Sequence, residues 1–303
     1  MSRQSPAAEP HRAPVRKPEW LRVGIPAGGN VRRVGEALER HGLSTVCDSA
    51  RCPNKAECWG LATATFLVMG SSCTRFCRFC AVDHGRCGTA LRAEEPRELA
   101  LAASELGLAY AVVTSVDRDD LPDRGAGHFA SCTRAIKALK SAPRVELLIP
   151  DYREGEIELV LDACPDVLAH NVETVRRLQG LRDQRASYEA SLHTLALAAA
   201  RSAANAGSPV VKSSLMLGLG EDEAEVLETM DELRRSGCES LVLGQYLQPT
   251  KAQVEVSRYV TPGEFARYAQ AAHERGFSSV VSAPFARTSY HARASFEGGS
   301  DRA

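Results

Sequence analysis

The sequence predicts an α/β fold: consecutive strand–helix units forming a barrel short of the full eight. Two observations carry this. From residue 62 onward, apolar runs rich in Val, Leu and Thr alternate with helical stretches, the pattern of a parallel sheet with right-handed crossovers. Six such units fit between residues 62 and 283 of a 303-residue chain, too few for eight. An open doubly wound sheet has the same local pattern. In either case ligands bind at the C-terminal ends of the strands.

The elements read as follows. Residues 1–19 carry Pro6, Pro10, Pro14 and Pro18 among small and charged residues, a poorly ordered tail. Residues 20–61 form an N-terminal cysteine-rich extension. Within it a helix runs from Val31 to Arg40 and stops at Gly42, and residues 43–60 read as a wrapped loop segment. The strands are 62–69, 110–114, 144–150, 166–170, 209–217 and 240–244, with a short seventh over 278–283. Pro96 starts one helix and Gly107 ends it. Thr261 caps another, with Pro262 in its first turn and Gly276 beyond its end. An Ala- and Leu-rich helix runs from Tyr188 to Ala206, before Gly207. Residues 284–303 form a short C-terminal tail.

Composition sets limits on function. Hydrophobic residues make up 44% and charged residues 25%, ordinary for a soluble globular protein. Lys plus Arg number 37 against 38 Asp plus Glu, a net charge of −1. There is no global basic field for nucleic acid. No apolar run approaches the roughly 18 residues of a membrane span, and the N-terminus lacks the apolar stretch of a secretory signal.

Six of the ten cysteines lie between residues 47 and 80, a clustering that points to metal binding rather than disulfides. Cys73-Thr-Arg-Phe-Cys77-Arg-Phe-Cys80 directly follows the first strand. Three thiolates in one tight loop can hold three irons of a four-iron cluster. The fourth iron then stays open to an exchangeable small molecule. A zinc knuckle is the competing reading, but zinc usually wants four closed ligands in separated pairs. The second set, Cys47, Cys52 and Cys58, has spacings of five and six positions. Taken alone, it could be a structural metal site completed by Cys87 or a histidine.

The loop at 73–80, with Phe79 just before its last cysteine, resembles the signature of the radical S-adenosylmethionine superfamily. ARCPNKAECWG (50–60) is similar to the auxiliary-cluster motif of the lipoyl synthase family. The resemblance to that family runs from about Pro18 to Ala292. It continues through ATFLVMGSSCTRFCRFCAV (64–82), VVTSVDRDDLPDRGAGHFA (112–130), HNVETVRRL (170–178), RASYEASL (185–192), KSSLMLGLGE (212–221), LGQYLQP (243–249), YVTPGEF (259–265) and RTSYHA (287–292). Arg124 and Ala283 stand where the family has Gly, and Thr288 where it has Ser.

The resemblance implies a partial (β/α)6 barrel and a sulfurtransferase. Such an enzyme inserts two sulfur atoms, at C6 and C8, into an octanoyl group carried on a protein. It implies two 4Fe–4S clusters and S-adenosylmethionine as cofactors. Cys73, Cys77 and Cys80 would hold the cluster that binds S-adenosylmethionine. Cys47, Cys52, Cys58 and, as fourth ligand, Ser289 would hold the auxiliary cluster that donates sulfur. Asn171 and Glu173 lie just past the fourth strand, where they could hold the methionine end or ribose of S-adenosylmethionine. Arg185 is the candidate for its carboxylate. Asp117, Arg118, Asp119 and Asp120, at a barrel mouth, would organise cofactor or substrate, and Lys212 has no assigned role. Cys132, Cys164 and Cys238 read as buried small hydrophobes and Cys87 as a spectator.

The implied partners are an octanoylated carrier (glycine-cleavage H protein or a 2-oxoacid dehydrogenase lipoyl domain), an electron donor and a cluster-repair factor. The expected compartment is the cytoplasm, where clusters stay reduced. Two other readings stand beside this one. A methylthiotransferase-like enzyme with two clusters would normally carry a further substrate-binding domain. The other is a non-enzymatic, metal-stabilised binding module.

Overall fold

The computed structural model describes residues 16–22, 29–61, 63–205 and 208–297. Most of the expected disordered tail, the Ala206–Gly207 helix end and residues 298–303 lie outside them.

Among the described residues the strands are β1 (Ser44–Thr45), β2 (Thr65–Val68), β3 (Tyr110–Ser115), β4 (Arg144–Leu148), β5 (Val167–Ala169), β6 (Val210–Leu217), β7 (Ser240–Gln245) and β8 (Ser279–Ala283). They form one sheet in chain order. The pair β1–β2 is antiparallel and every later pair is parallel. An order that never reverses excludes the doubly wound alternative, which needs a switch point. The parallel strands are the six read from sequence plus the short seventh.

Helices follow the strands as the punctuation predicts. They are α4 (Glu95–Leu106), α5 (Ala126–Lys137), α6 (Glu154–Leu161), α7 (Tyr188–Ala204), α8 (Glu223–Arg235) and α9 (Pro262–Glu274), with α1 (Gly29–Arg40) ahead of the barrel. Pro96 sits in the first turn of α4, and Gly107 closes it at φ +66°. In α9 the Thr261 side chain accepts from the Glu264 amide, and the Glu264 carboxylate returns the bond. Residues 43–60 depart from the loop expectation. They hold β1 and two short helices, α2 (Val46–Ser49) and α3 (Lys55–Gly60). Elements of two to six residues are too short to show a hydrophobic period.

The strand alternation sorts the core into two faces. Phe66, Val113, Leu147, Leu168 and Val211 lie in register, fully buried, and belong to the apolar core shared with the helices. The opposite face lines the barrel interior in layers. Thr65, Val112, Glu146, Val167 and Val210 share one row; Leu67, Thr114, Leu148, Ala169 and Lys212 share the next. Lys212 therefore points inward. Its ammonium donates to Glu146 at 2.9 Å, and the Tyr110 hydroxyl donates to the other Glu146 oxygen at 2.6 Å. A buried lysine is tolerated only with such a partner. The short helix α10 (Ala292–Phe296) packs near Tyr110, beside the strand N-termini.

Candidate functional site

The cysteine loop leaves β2 through Met69 and Gly70, both at positive φ. A side chain on Gly70 would strike Thr89 Oγ1 at 2.2 Å, so only glycine fits. The loop is then fixed from three sides. The amides of Thr74 and Arg78 donate to the Asp117 and Leu181 carbonyls at 3.0 and 2.8 Å. The Phe76 amide donates to Asp183 at 2.8 Å, and Gln253 Nε2 to the Cys80 carbonyl at 3.2 Å.

Cys73, Cys77 and Cys80 line one cavity of about 220 Å³ at the strand C-termini, with Leu67, Thr114 and Leu148 as part of its wall. Burial pushes the Cys73 and Cys77 thiols up to about 12 and Cys80 to about 11. The amides of Arg75 and Asp183 point at the Cys73 and Cys77 sulfurs, each at 3.4 Å. Buried thiols served by amide N–H groups fit a cationic iron cluster, which holds thiolates where solvent cannot and is tuned by such hydrogen bonds. Among the described residues no three His, Cys, Asp or Glu side chains converge on a single ion.

The rest of this cavity is charged. Arg75 is buried and bonds Asp119 at 2.9 Å and Asp151 at 2.5 Å, with Asp117 at 3.3 Å. Asp117 and Glu173 face the cavity, and removal from bulk water pushes both carboxyls up. Glu173 holds φ +67°, a conformation costly for a non-glycine residue and characteristic of functional sites. Asn171 also lines the cavity and donates to Glu173 at 3.2 Å. Arg118 does not reach the cavity; it clamps Asp120 at 2.8 Å and the Met69 carbonyl at 3.1 Å. Arg185 is half-exposed behind the loop, bonded to Asp183 at 2.8 Å, with Asp119 at 3.5 Å. A second arginine of the cavity, beside Arg75, is Arg182, which the sequence reading passed over. It is buried and donates to Ser191 and Gln179; among the described residues it makes no direct ion pair, and its charge acts across the cavity on Asp117 and Glu173. Nothing in its spacing distinguished it from Arg185.

Cys47, Cys52, Cys58 and Ser289 line a second cavity, of about 330 Å³, with Thr65, Tyr110 and Val112 on its barrel side. Cys47 sits on α2 and Cys58 on α3, with Cys52 between them. Burial pushes Cys58 up to about 12 and Cys47 upward. The buried indole Nε1 of Trp59 has no nitrogen or oxygen acceptor among the described residues; it faces the Cys47 sulfur and opposes that thiol's shift. A lone N–H beside a buried sulfur suits a thiolate. The C-terminal tail is strapped over this cavity. Asn54 Nδ2 donates to the Phe285 carbonyl at 2.7 Å, and the Tyr290 hydroxyl to Glu57 at 2.8 Å. Thr288 Oγ1 donates to Asn171 Oδ1 at 3.1 Å, joining the tail to the first cavity.

The remaining cysteines line neither cavity. Cys132 and Cys238 are buried as expected, and Cys87 is exposed. Cys164 is exposed too, against expectation, because it sits in a left-handed turn after α6 at φ +56°.

The Radical SAM superfamily model matches residues 67–233. Among solved structures, the FeFe-hydrogenase maturase HydG from Carboxydothermus hydrogenoformans shares the fold with a TM-score of 0.56, at 14% identity over 77% of this chain and 55% of that one. Methylornithine synthase (PylB) does so with a TM-score of 0.54, at 12% identity over 71% of this chain and 63% of that one. Sequence relatives are far nearer. The lipoyl synthase of Marinobacter nauticus is 50% identical over 285 residues, 93% of this chain and 81% of that protein. That of Methanocella arvoryzae is 47% identical over 280 residues, 91% of this chain and 93% of that protein. Identity of this order across nearly the whole length of both proteins is more than a shared barrel requires, and the chain belongs to the lipoyl synthase family of the radical S-adenosylmethionine superfamily.

Proposed function

We propose that this chain inserts sulfur at C6 and C8 of an octanoyl group carried on a lipoyl domain. One observation carries the reading. The two thiol-lined cavities rest on consecutive inward-facing layers of the same strands, Thr65 and Val112 under one, Leu67 and Thr114 under the next. Two residues along a strand span about 7 Å. A saturated carbon held between these layers is within reach of both sites. The reaction needs this arrangement because such a carbon offers no acidic proton or leaving group. Hydrogen must be taken from one side and sulfur delivered from the other.

The family uses two 4Fe–4S clusters and S-adenosylmethionine. When bound, these groups supply a 5′-deoxyadenosyl radical and the sulfur. The chain's own residues hold and orient. Cys73, Cys77 and Cys80 hold one cluster; Cys47, Cys52, Cys58 and Ser289 hold the other. Glu173 and Asp117 would face the cationic end of S-adenosylmethionine, and Arg182, in place of Arg185, would take its carboxylate. Asn171 orients Glu173. Leu67, Val116 and Leu148 keep the wall apolar and exclude water from the site. Residues 20–61 and the tail from 284 work as one unit around the auxiliary site, the barrel of 62–283 around the other. An electron donor and a cluster-repair factor complete the partners, since the cleavage consumes an electron and a sacrificed cluster must be rebuilt. Among the described residues no helix is long and apolar enough to cross a membrane.

Separating the two sites tests this. Changing Cys73, Cys77 and Cys80 to Ala should abolish reductive cleavage of S-adenosylmethionine and leave about half the iron. Changing Cys47, Cys52 and Cys58 should keep cleavage and stop lipoyl formation. Lipoyl product from the second variant would overturn the sulfur-donor assignment.

A further inference from the structure

One side chain of the barrel wall reaches the tail serine. Thr65 opens β2, faces inward and is buried. Its Oγ1 lies 2.8 Å from Ser289 Oγ, across 224 positions of sequence. Among the described residues neither hydroxyl has another hydrogen-bond partner. The Thr65 amide faces the Cys47 sulfur and opposes the rise of that thiol. A single residue thus touches the serine with its hydroxyl and a cysteine of the same cavity with its backbone.

The direction of the hydroxyl bond follows from the role of Ser289. A serine oxygen that serves as a ligand has given up its proton and can only accept. Thr65 must then donate. A hydrogen bond donated to an anionic oxygen is of the strong, charge-assisted kind, and it draws electron density from that oxygen. Oxygen is already the poorer partner for iron of this kind beside three thiolates. We propose that Thr65 is the positioning residue of the auxiliary site: its hydroxyl orients Ser289 Oγ toward the three thiols and weakens that oxygen as a ligand. Thr65 thereby sets how firmly Ser289 would hold its iron. This rests on Ser289 being a ligand and adds the group that controls its hold. A purely structural threonine would behave differently. Valine has the same shape and suits a strand, so it would change stability only slightly and leave iron retention alone.

The test uses the Cys73, Cys77 and Cys80→Ala chain, so that iron reports on the auxiliary site alone. Thr65, Thr65→Val and Thr65→Ser versions are reconstituted, and capture of the first iron by a chelator is timed. Mössbauer spectra record the oxygen-ligated iron. Thr65→Val should slow first-iron capture about tenfold or more, the scale of one charge-assisted hydrogen bond, and Thr65→Ser should restore the rate. Unchanged or faster capture in Thr65→Val overturns the inference. In a Ser289→Cys background Thr65→Val should have no further effect, because the oxygen is gone; a tenfold effect there also overturns it. If Thr65→Val does not fold, Thr65→Ala is read in the same way. Absence of an oxygen-ligated iron in the Thr65 protein itself would instead show that Ser289 is not a ligand, and so remove the reading beneath the inference.

Discussion

Two arginines of the first cavity show how charge is arranged at single residues. Arg75 is saturated by the carboxylates of Asp119 and Asp151, with Asp117 close by, whereas Arg182 is equally buried with only neutral acceptors. Arg182 acts on Asp117 and Glu173 only across the cavity, without a direct ion pair among the described residues, and a ligand carboxylate would supply one. Arg182→Gln should therefore raise the Kd for S-adenosylmethionine about tenfold or more in equilibrium binding to the reconstituted protein. Arg185→Gln removes a half-exposed pair and should shift it about twofold. Equal effects would mean that Arg182 has no special claim on the carboxylate. Arg124 makes a related point. It holds φ +49°, the left-handed region that glycine adopts without strain, and its guanidinium is compensated by Glu156 at 2.9 Å.

At the scale of elements, the tail depends on its contacts. α10 has five residues, far too few to be stable alone. Phe296 supplies its anchor, 5.9 Å from the Tyr110 ring and 5.7 Å from the Arg144 guanidinium. Ala292, at the other end, is buried beside Tyr110 and Val112. Phe296→Ala removes partly buried aromatic surface, a loss of about 1–2 kcal/mol. Hydrogen exchange over residues 286–297 should accelerate while the helices α4–α9 keep their protection. Unchanged exchange in the tail would show that the straps at Asn54 and Glu57 suffice to hold it. The wrapped segment 43–60 obeys the same logic: α3 persists because it packs on α1 and the tail closes over it, and α2 because it packs on β1 and β2.

The whole molecule carries a pH dependence from the barrel interior. His170 bonds the Ile149 carbonyl and Ser191, each at 2.9 Å, and lies among Arg182, Arg75 and Asp151. Burial, with Arg182 second, lowers its pKa to about 4. The unfolded chain binds a proton there near pH 6.5, so between about 6.5 and 4 the unfolded state holds more protons than the native one. Stability from this group is complete above pH 6.5 and is lost as pH falls toward 4. The urea midpoint should decline over that window, and His170→Asn should flatten the decline. A slope unchanged by His170→Asn would assign it to other groups.

The sequence by itself determined the strand–helix order, the caps of α4 and α9, and the two cysteine sets with their family. Those signals are local: alternation of apolar runs, Pro and Gly at helix ends, and spacings of a few residues. What only the tertiary structure decided is what distant segments share. The choice between barrel and doubly wound sheet lay in strand order, which no local pattern encodes. Lys212 found its partner on β4, 66 positions away, and Ser289 met Thr65 across 224. Arg182 and Arg185 look alike in the chain, and only the curvature of the segment after residue 181 turns one into the cavity and leaves the other outside. Local chemistry is written in the order of residues, but burial and partnership come from long-range closure of the chain, which fixes the electrostatics of every side chain inside the barrel.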